Sequence, residues 1–197
     1  MNILGISGSP TGGSSTDILV NTILEGATAN QVKTRFVRLN DKNILPCQSC
    51  GKSPEPDYCF FHDDMDELYG LMEKSEGIVL GSPIYFDSVS AQTKLFIDRT
   101  NCLRPVDFSI KDETVFKKPL FKGKKGGIVI VGGKQGSFDT TLRTARGFFL
   151  WAGMDIVFEL KYIASGLRAG EARHDDATLK KARQCGKELL AAIQSKK

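Results

Sequence analysis

A chain of 197 residues, 41% hydrophobic and 25% charged, carries enough apolar side chains for one substantial core and argues against a second domain. Its net charge of +4 is too mild and too dispersed to point to nucleic acid as a partner. No apolar run approaches the roughly 18 residues that a membrane-spanning helix requires, and no charged leader followed by an apolar core opens the sequence, so a cytoplasmic protein without a membrane partner is expected.

Ile3 to Ser7 reads as a buried strand that runs straight into Gly8-Ser9-Pro10-Thr11-Gly12-Gly13-Ser14-Ser15-Thr16. Small hydroxyl and glycine residues between a strand and a helix start offer an anion backbone N–H donors, hydroxyls and the positive end of the helix. Two common phosphate loops are excluded. No Lys follows the last glycine as a triphosphate loop requires, and glycines at 5, 8, 12 and 13 do not match G-x-G-x-x-G. What remains is a hydroxyl cradle of Ser7, Ser9, Thr11, Ser14, Ser15 and Thr16, suited to a terminal phosphomonoester such as that of flavin mononucleotide (FMN). The competing reading is an ordinary N-cap from Ser14 or Ser15. Asp17, just inside the helix, is expected to point away from a bound phosphate.

Ile18, Leu19, Thr22, Ile23 and Gly26 then fall on one stripe of the first helix. Lys33 to Leu39 reads as strand two, and the following segment, 40–62, holds Cys47, Cys50 and Cys59. Asp63, Asp64, Asp66 and Glu67 load the start of helix two, whose Leu68, Leu71 and Met72 face inward; the helix dipole explains this acidic run better than catalysis does. Gly77 to Gly81 is strand three and Val89 to Arg99 helix three. The long connection 102–125 has no clear periodicity and is expected to cover a ligand or a neighbouring subunit. Its Lys117, Lys118, Lys122, Lys124 and Lys125 read as a solvated loop, with attraction of an anionic cosubstrate as the alternative. Gly127 to Gly132 is strand four, Thr140 to Trp151 helix four, Asp155 to Tyr162 strand five, and Asp175 to Ile193 the last helix.

Apolar runs alternating with helical periodicity define an α/β chain with a doubly wound, five-stranded parallel sheet and helices on both faces. The strand order 2-1-3-4-5 is expected because it gathers three polar, glycine-bearing loops at one switch point. The second of these, Ser82 to Ser88, offers Tyr85 and Phe86 as flat surfaces for a flavin ring, unless both belong to the core or an interface. The third, Gly132 to Ser137, brings close-approaching backbone at Gly133, the cation of Lys134 and the amide of Gln135 to the same rim; Lys134 or backbone N–H groups would stabilise charge on a reduced flavin, the alternative being an exposed loop lysine. Neither His62 nor His174 belongs to a hydrolytic triad with a G-x-S-x-G elbow, which argues against a hydrolase.

Gly5-Ile6-Ser7-Gly8-Ser9-Pro10, Gly81-Ser82-Pro83-Ile84-Tyr85-Phe86 and the helix Ser90 to Arg99 together resemble the NADPH-dependent FMN reductase family of flavodoxin-like proteins, and especially its iron-sulfur flavoprotein branch. The resemblance runs from residue 2 to about residue 150. It implies FMN held at the three loops, with Ser9, Thr11, Ser14, Ser15 and Thr16 on the phosphate and Pro83, Ile84, Tyr85, Phe86 and Ser88 along the ring. It further implies NAD(P)H as cosubstrate, a quinone, flavin, azo or nitro compound or a protein as electron acceptor, and a homodimer or homotetramer. Family members commonly carry Arg where Thr11 stands, so weaker phosphate binding is expected here.

The same branch holds a 4Fe–4S cluster on C-x2-C-x2-C-x5-C. This chain keeps that spacing at Cys47, Cys50 and Cys59 but has Ser53 in the third position, which leaves one thiolate short. Four outcomes stay open. The cysteines are vestiges of a lost cluster, the reading the missing ligand favours; or a cluster sits on three cysteines and an outside ligand; or His62 completes a Cys3His zinc site; or Cys47 and Cys50 form a disulfide that serves the flavin. Cys102 and Cys185 read as isolated thiols, Cys185 on the buried side of the last helix.

Overall fold

The computed structural model describes residues 1–28, 32–50, 58–111, 113–166 and 168–195. Strands β1 (Asn2–Ser7), β2 (Lys33–Arg38), β3 (Gly77–Tyr85), β5 (Lys125–Gly132) and β6 (Asp155–Ile163) form a parallel sheet in the order β2-β1-β3-β5-β6. This is the expected winding. A sixth strand, β4 (Ser88–Val89), was not expected; it pairs antiparallel with β3, Ile84 opposite Val89 and Tyr85 opposite Ser88. The stretch read as a loop after Gly81 is therefore half strand and half hairpin. Pro83 still matches Val131 of β5 in register, and the chain reverses through Phe86 and Asp87 at φ 49° and 56°. Two positive φ values at the centre of a two-residue turn give the primed geometry whose twist matches paired strands.

Helices α1 (Ser15–Gly26) and α5 (Asp176–Gln194) cover one face, and α2 (Met65–Glu73), α3 (Ala91–Arg99) and α4 (Phe138–Ala152) the other. Alternation along the strands divides the core. Ile3, Val79, Val129 and Leu160 point to α1 and α5, while Leu4, Ile6, Ile78, Leu80, Ile128 and Ile130 point to the opposite helices. Each fully buried aliphatic chain contributes roughly 1.5–3 kcal/mol. On the first face α1 and α5 touch backbone to backbone: a Cβ on Gly26 would stand 2.2 Å from the Arg183 carbonyl oxygen and one on Gly186 2.1 Å from that of Ile23. Helix three begins at Ala91, two residues later than expected, because Ser90 is its N-cap and accepts the Thr93 N–H at 3.2 Å.

Two lysines of the connection 102–125 are not solvated as expected. Lys124 Nζ donates to the carbonyls of Met72 (3.0 Å) and Ser75 (2.6 Å), as well as to that of Glu73, closing the C-terminal end of α2. Lys125 opens β5 and pairs with Asp155 at 2.9 Å. Part of the connection pairs with itself: Val106 bridges Phe116, whose ring packs edge-on against Trp151 at 5.0 Å. Among the described residues no helix is long and apolar enough to cross a membrane.

Candidate functional site

Three loops leave the C-terminal ends of β1, β3 and β5 side by side, at the point where the sheet's winding reverses. In the first, Ser14 is the N-cap of α1 and accepts the Asp17 N–H at 3.2 Å. Asp17 contradicts the expectation that it would turn away. Its buried carboxylate folds back into the loop and accepts the Ser7 hydroxyl at 2.5 Å and the Gly13 N–H at 2.9 Å, with Arg38 Nε 3.3 Å away at ion-pair distance but without hydrogen-bond geometry. A carboxylate removed from water requires such donors, and the loop supplies them.

The hydroxyl cradle is accordingly part structure. Ser7 is spent on Asp17; Ser9 Oγ donates to the Thr11 carbonyl at 3.2 Å and accepts the Thr11 N–H at 3.3 Å; Ser15 Oγ accepts the Ala172 N–H at 3.2 Å. Thr11 is exposed and Thr16 buried in the first turn of α1. The N–H groups of Gly12, Ser14, Ser15 and Thr16 find no acceptor among the described residues. Four unpaired donors at a helix start are what an anion needs.

Sequence reasoning missed the cation. Arg38, at the end of β2, lies with Nη1 3.5 Å from where a Cβ on Gly12 would stand, so positive charge reaches the loop from the neighbouring strand instead of from position 11. Arg173 approaches from the other side, its Nη2 3.4 Å from the Gly13 carbonyl oxygen. Also missed were Ser82, Ser90 and Thr93, whose hydroxyls lock the first two loops together. Ser90 Oγ donates to the Gly8 carbonyl at 2.6 Å and lies 2.9 Å from Thr93 Oγ1, while Ser82 Oγ accepts the Ser90 N–H at 3.0 Å. A Cβ on Gly8 would stand 1.7 Å from Thr93 Oγ1.

Beyond them opens a cleft of ≈ 550 Å³, with Ile84, Phe86 and Asp87 on one wall, Gly133, Lys134, Gln135 and Gly136 on the other, and Ala164 to Gly166 at the end. That volume lies in the range of small-molecule sites. Pro83, Tyr85 and Ser88, expected along a ring, are not among its lining residues; they sit in the paired strands β3 and β4. Phe86 is fully exposed at the hairpin tip. Asp87 Oδ1 accepts the Ser137 N–H at 2.8 Å and its carbonyl the Thr140 hydroxyl at 2.6 Å, which ties the tip to the start of α4.

The cysteine segment lies elsewhere, against the end of α3. Cys47, Cys50 and Cys59 line one cavity together with Cys102, which contradicts the reading of Cys102 as an isolated thiol. Cys102 follows α3 in the short turn Thr100–Leu103, where burial pushes its thiol up to about 11. Cys185 is buried on α5 as expected. None of the five cysteines is disulfide-bonded. His62 turns outward to Asp66, Nδ1 to Oδ2 3.3 Å, and does not line the cavity. Among the described residues no three His, Cys, Asp or Glu converge on a position for one metal ion, so the Cys3His zinc arrangement is not assembled. Position 53 lies outside the described residues.

Sheet order, anion-ready loop and ring-sized cleft are those of the flavodoxin-like class, and solved structures of that fold superpose on it. A flavone reductase does so with TM-score 0.73 and 21% identity, covering 98% of this chain, which spans 63% of that longer one. A flavodoxin from the domain Archaea gives 0.60 and 14%, covering 98% of this chain and 99% of the other. The chain belongs to the NADPH-dependent FMN reductase family, whose model matches residues 1–167. It is similar to an iron-sulfur flavoprotein of Methanocaldococcus jannaschii, 34% identical with 98% of each chain covered, and to one of Methanosarcina thermophila, 28% identical with 98% of this chain and 96% of the other covered. Family and relatives support an FMN-dependent oxidoreductase or electron carrier.

Proposed function

We propose that this protein binds FMN and carries electrons from NAD(P)H to a quinone, flavin, azo or nitro compound or a protein acceptor. The observation that carries the reading is the set of N–H groups of Gly12, Ser14, Ser15 and Thr16, unpaired among the described residues, beside Arg38 and opening next to the cleft. The residues fit the group. Phosphate would take the donors of Gly12, Ser14, Ser15 and Thr16, with Ser9, Thr11 and Arg38 around it, and the ring would lie between Ile84 and Phe86 on one side and Gly133, Lys134 and Gln135 on the other. Bound flavin supplies a site that takes up electrons in pairs and releases them singly or in pairs. The protein's part is to hold it, keep water from one face and place Lys134 and the loop N–H groups near its polar edge. No protein acid or base is required.

The test is an absorption spectrum and an FMN titration of freshly purified, oxygen-protected protein, followed by NAD(P)H oxidation with and without acceptor. Yellow protein, FMN affinity in the low micromolar range or tighter, and acceptor-dependent NAD(P)H oxidation are expected. Colourless protein that refuses FMN would overturn the reading. Tight FMN with no NAD(P)H oxidation by any acceptor would instead favour a carrier or a binding module. The cavity shared by four cysteines favours a second form of the same reading, in which the chain also holds an iron-sulfur cluster and relays single electrons.

A further inference from the structure

We propose that Cys102 is the fourth thiolate ligand of an iron-sulfur cluster held by Cys47, Cys50 and Cys59, filling the place left by Ser53. The assignment rests on the cluster-bearing form of the reading above. Local spacing offers only three cysteines, but the fold brings the fourth to them from the turn after α3, and all four line one cavity of ≈ 150 Å³. A cavity of about that size accommodates a benzene ring, so it is far too large for one ion and of the right order for a cluster core.

Zinc needs its ligands within about 2.3 Å of one point, and no such point exists among the described residues. A cubane instead takes each thiolate at a different iron. Two further groups face the same space. Arg99 and Arg104 line the cavity, and each has a buried Nε–H without an acceptor among the described residues. An unpaired buried donor costs roughly 1–3 kcal/mol. Cluster sulfurs accept hydrogen bonds, and the Arg104 guanidinium offsets part of the negative charge of the thiolates, the charge of Arg99 being already paired with Asp63. Phe61 and Phe116 complete walls that are mainly apolar and shield such a group from solvent. Binding requires no oxidant: each protonated thiol releases its proton to solvent as its sulfur bonds one iron of the incoming cluster.

The test is anaerobic reconstitution of the FMN-bound full chain with ferric iron, sulfide and excess dithiothreitol, which reduces two of every four irons as the cluster assembles, read by iron and acid-labile sulfide content and by Mössbauer spectra. Wild type should hold about four irons and four sulfides per chain. Cys102→Ser should lose most of both, and the double variant Cys102→Ser/Ser53→Cys should recover them, with FMN content unchanged throughout. Full iron in Cys102→Ser would overturn the assignment while leaving the cluster reading intact. Wild type that binds FMN but neither iron nor sulfide, or that binds one zinc alone, would overturn the cluster reading and the assignment with it. Should Cys102→Ser not fold, selenocysteine in place of Cys102 keeps the side chain's shape. Selenium-edge X-ray absorption must then show an iron neighbour, and its absence overturns the assignment.

Discussion

Arg99 and Asp63 form a two-pronged ion pair sealed from solvent, with Nη1 to Oδ2 2.5 Å, Nη2 to Oδ1 3.2 Å and side chains 0% and 4% exposed. The same carboxylate accepts the N–H groups of Leu45 and Met65 at 2.8 and 2.9 Å, and Arg99 Nη1 also donates to the Leu45 carbonyl at 2.9 Å. One pair therefore fixes the start of α2, the end of α3 and the segment that leads into Cys47. Helix-dipole complementarity alone does not describe Asp63. Cys102 stands three residues beyond Arg99 and packs on its carbonyl, Sγ to oxygen 3.4 Å, so the pair that holds the segment before Cys47 also orders the turn that presents Cys102.

Removing one partner leaves the other charged and buried, so Asp63→Ala should destabilise the fold by about 3–5 kcal/mol. The pH dependence has a defined sign. Burial raises the Asp63 pKa, but the donors from Arg99, Leu45 and Met65 outweigh it and hold the carboxyl below its usual value. A group depressed in the folded state stabilises it fully above the unfolded pKa of about 3.9 and loses that contribution as pH falls through the lower native value. The stability difference between wild type and Asp63→Asn should accordingly shrink below about pH 4. Urea unfolding across pH 2 to 7 measures it; a difference that stays constant over that range sinks the argument.

Arg38 yields a prediction about the phosphate rather than the ring. A charge-assisted contact contributes about 1.5–3 kcal/mol, so Arg38→Ala should weaken FMN binding at least about tenfold. Riboflavin, which lacks the phosphate, should bind wild type and variant alike. Arg38→Lys should recover only part of the loss, because a point charge cannot both face Asp17 and reach past Gly12 as a planar fork does. Equal loss for FMN and riboflavin would mean that Arg38 merely braces the loop through Asp17.

What the sequence disclosed and what it withheld divide along a physical line. Strand order and both helical layers were legible because each element's periodicity is local and the three loops had to converge. Arg38 was not, since only the pairing of β1 with β2, Ser7 opposite Arg38, carries that side chain to the loop. Cys102 escaped for the same reason: its neighbours lie across α3, outside any spacing pattern. The hairpin at Phe86 and Asp87 was hidden differently. Two-residue turns of this geometry are recognised by Asn-Gly or Asp-Gly, and here an aromatic and an aspartate adopt it. Asp17 was misplaced because the dipole argument considers the helix alone, whereas Ser7 and Gly13 offer it donors from the strand end.

An aromatic residue held at φ 49° on a fully exposed tip is strained for no packing gain within the chain. Substituting glycine relieves roughly 1–2 kcal/mol of left-handed strain and gives back about 0.5–1 kcal/mol through the freer unfolded chain. Phe86→Gly should thus leave the stability of the FMN-free protein within about 1 kcal/mol of wild type. If the ring lies against Phe86, the lost aromatic contact of about 0.5–1.5 kcal/mol should weaken FMN by roughly two- to tenfold. Phe86→Leu, which keeps the strain and loses the aromatic face, should show the same weakening, so the two variants separate backbone from contact. Asp87→Ala should act through position instead, releasing the Ser137 N–H and lowering stability by about 1 kcal/mol. Thermal melts without flavin and fluorescence titration with it measure both quantities. Unchanged FMN affinity in Phe86→Gly and Phe86→Leu together would place the ring away from the hairpin.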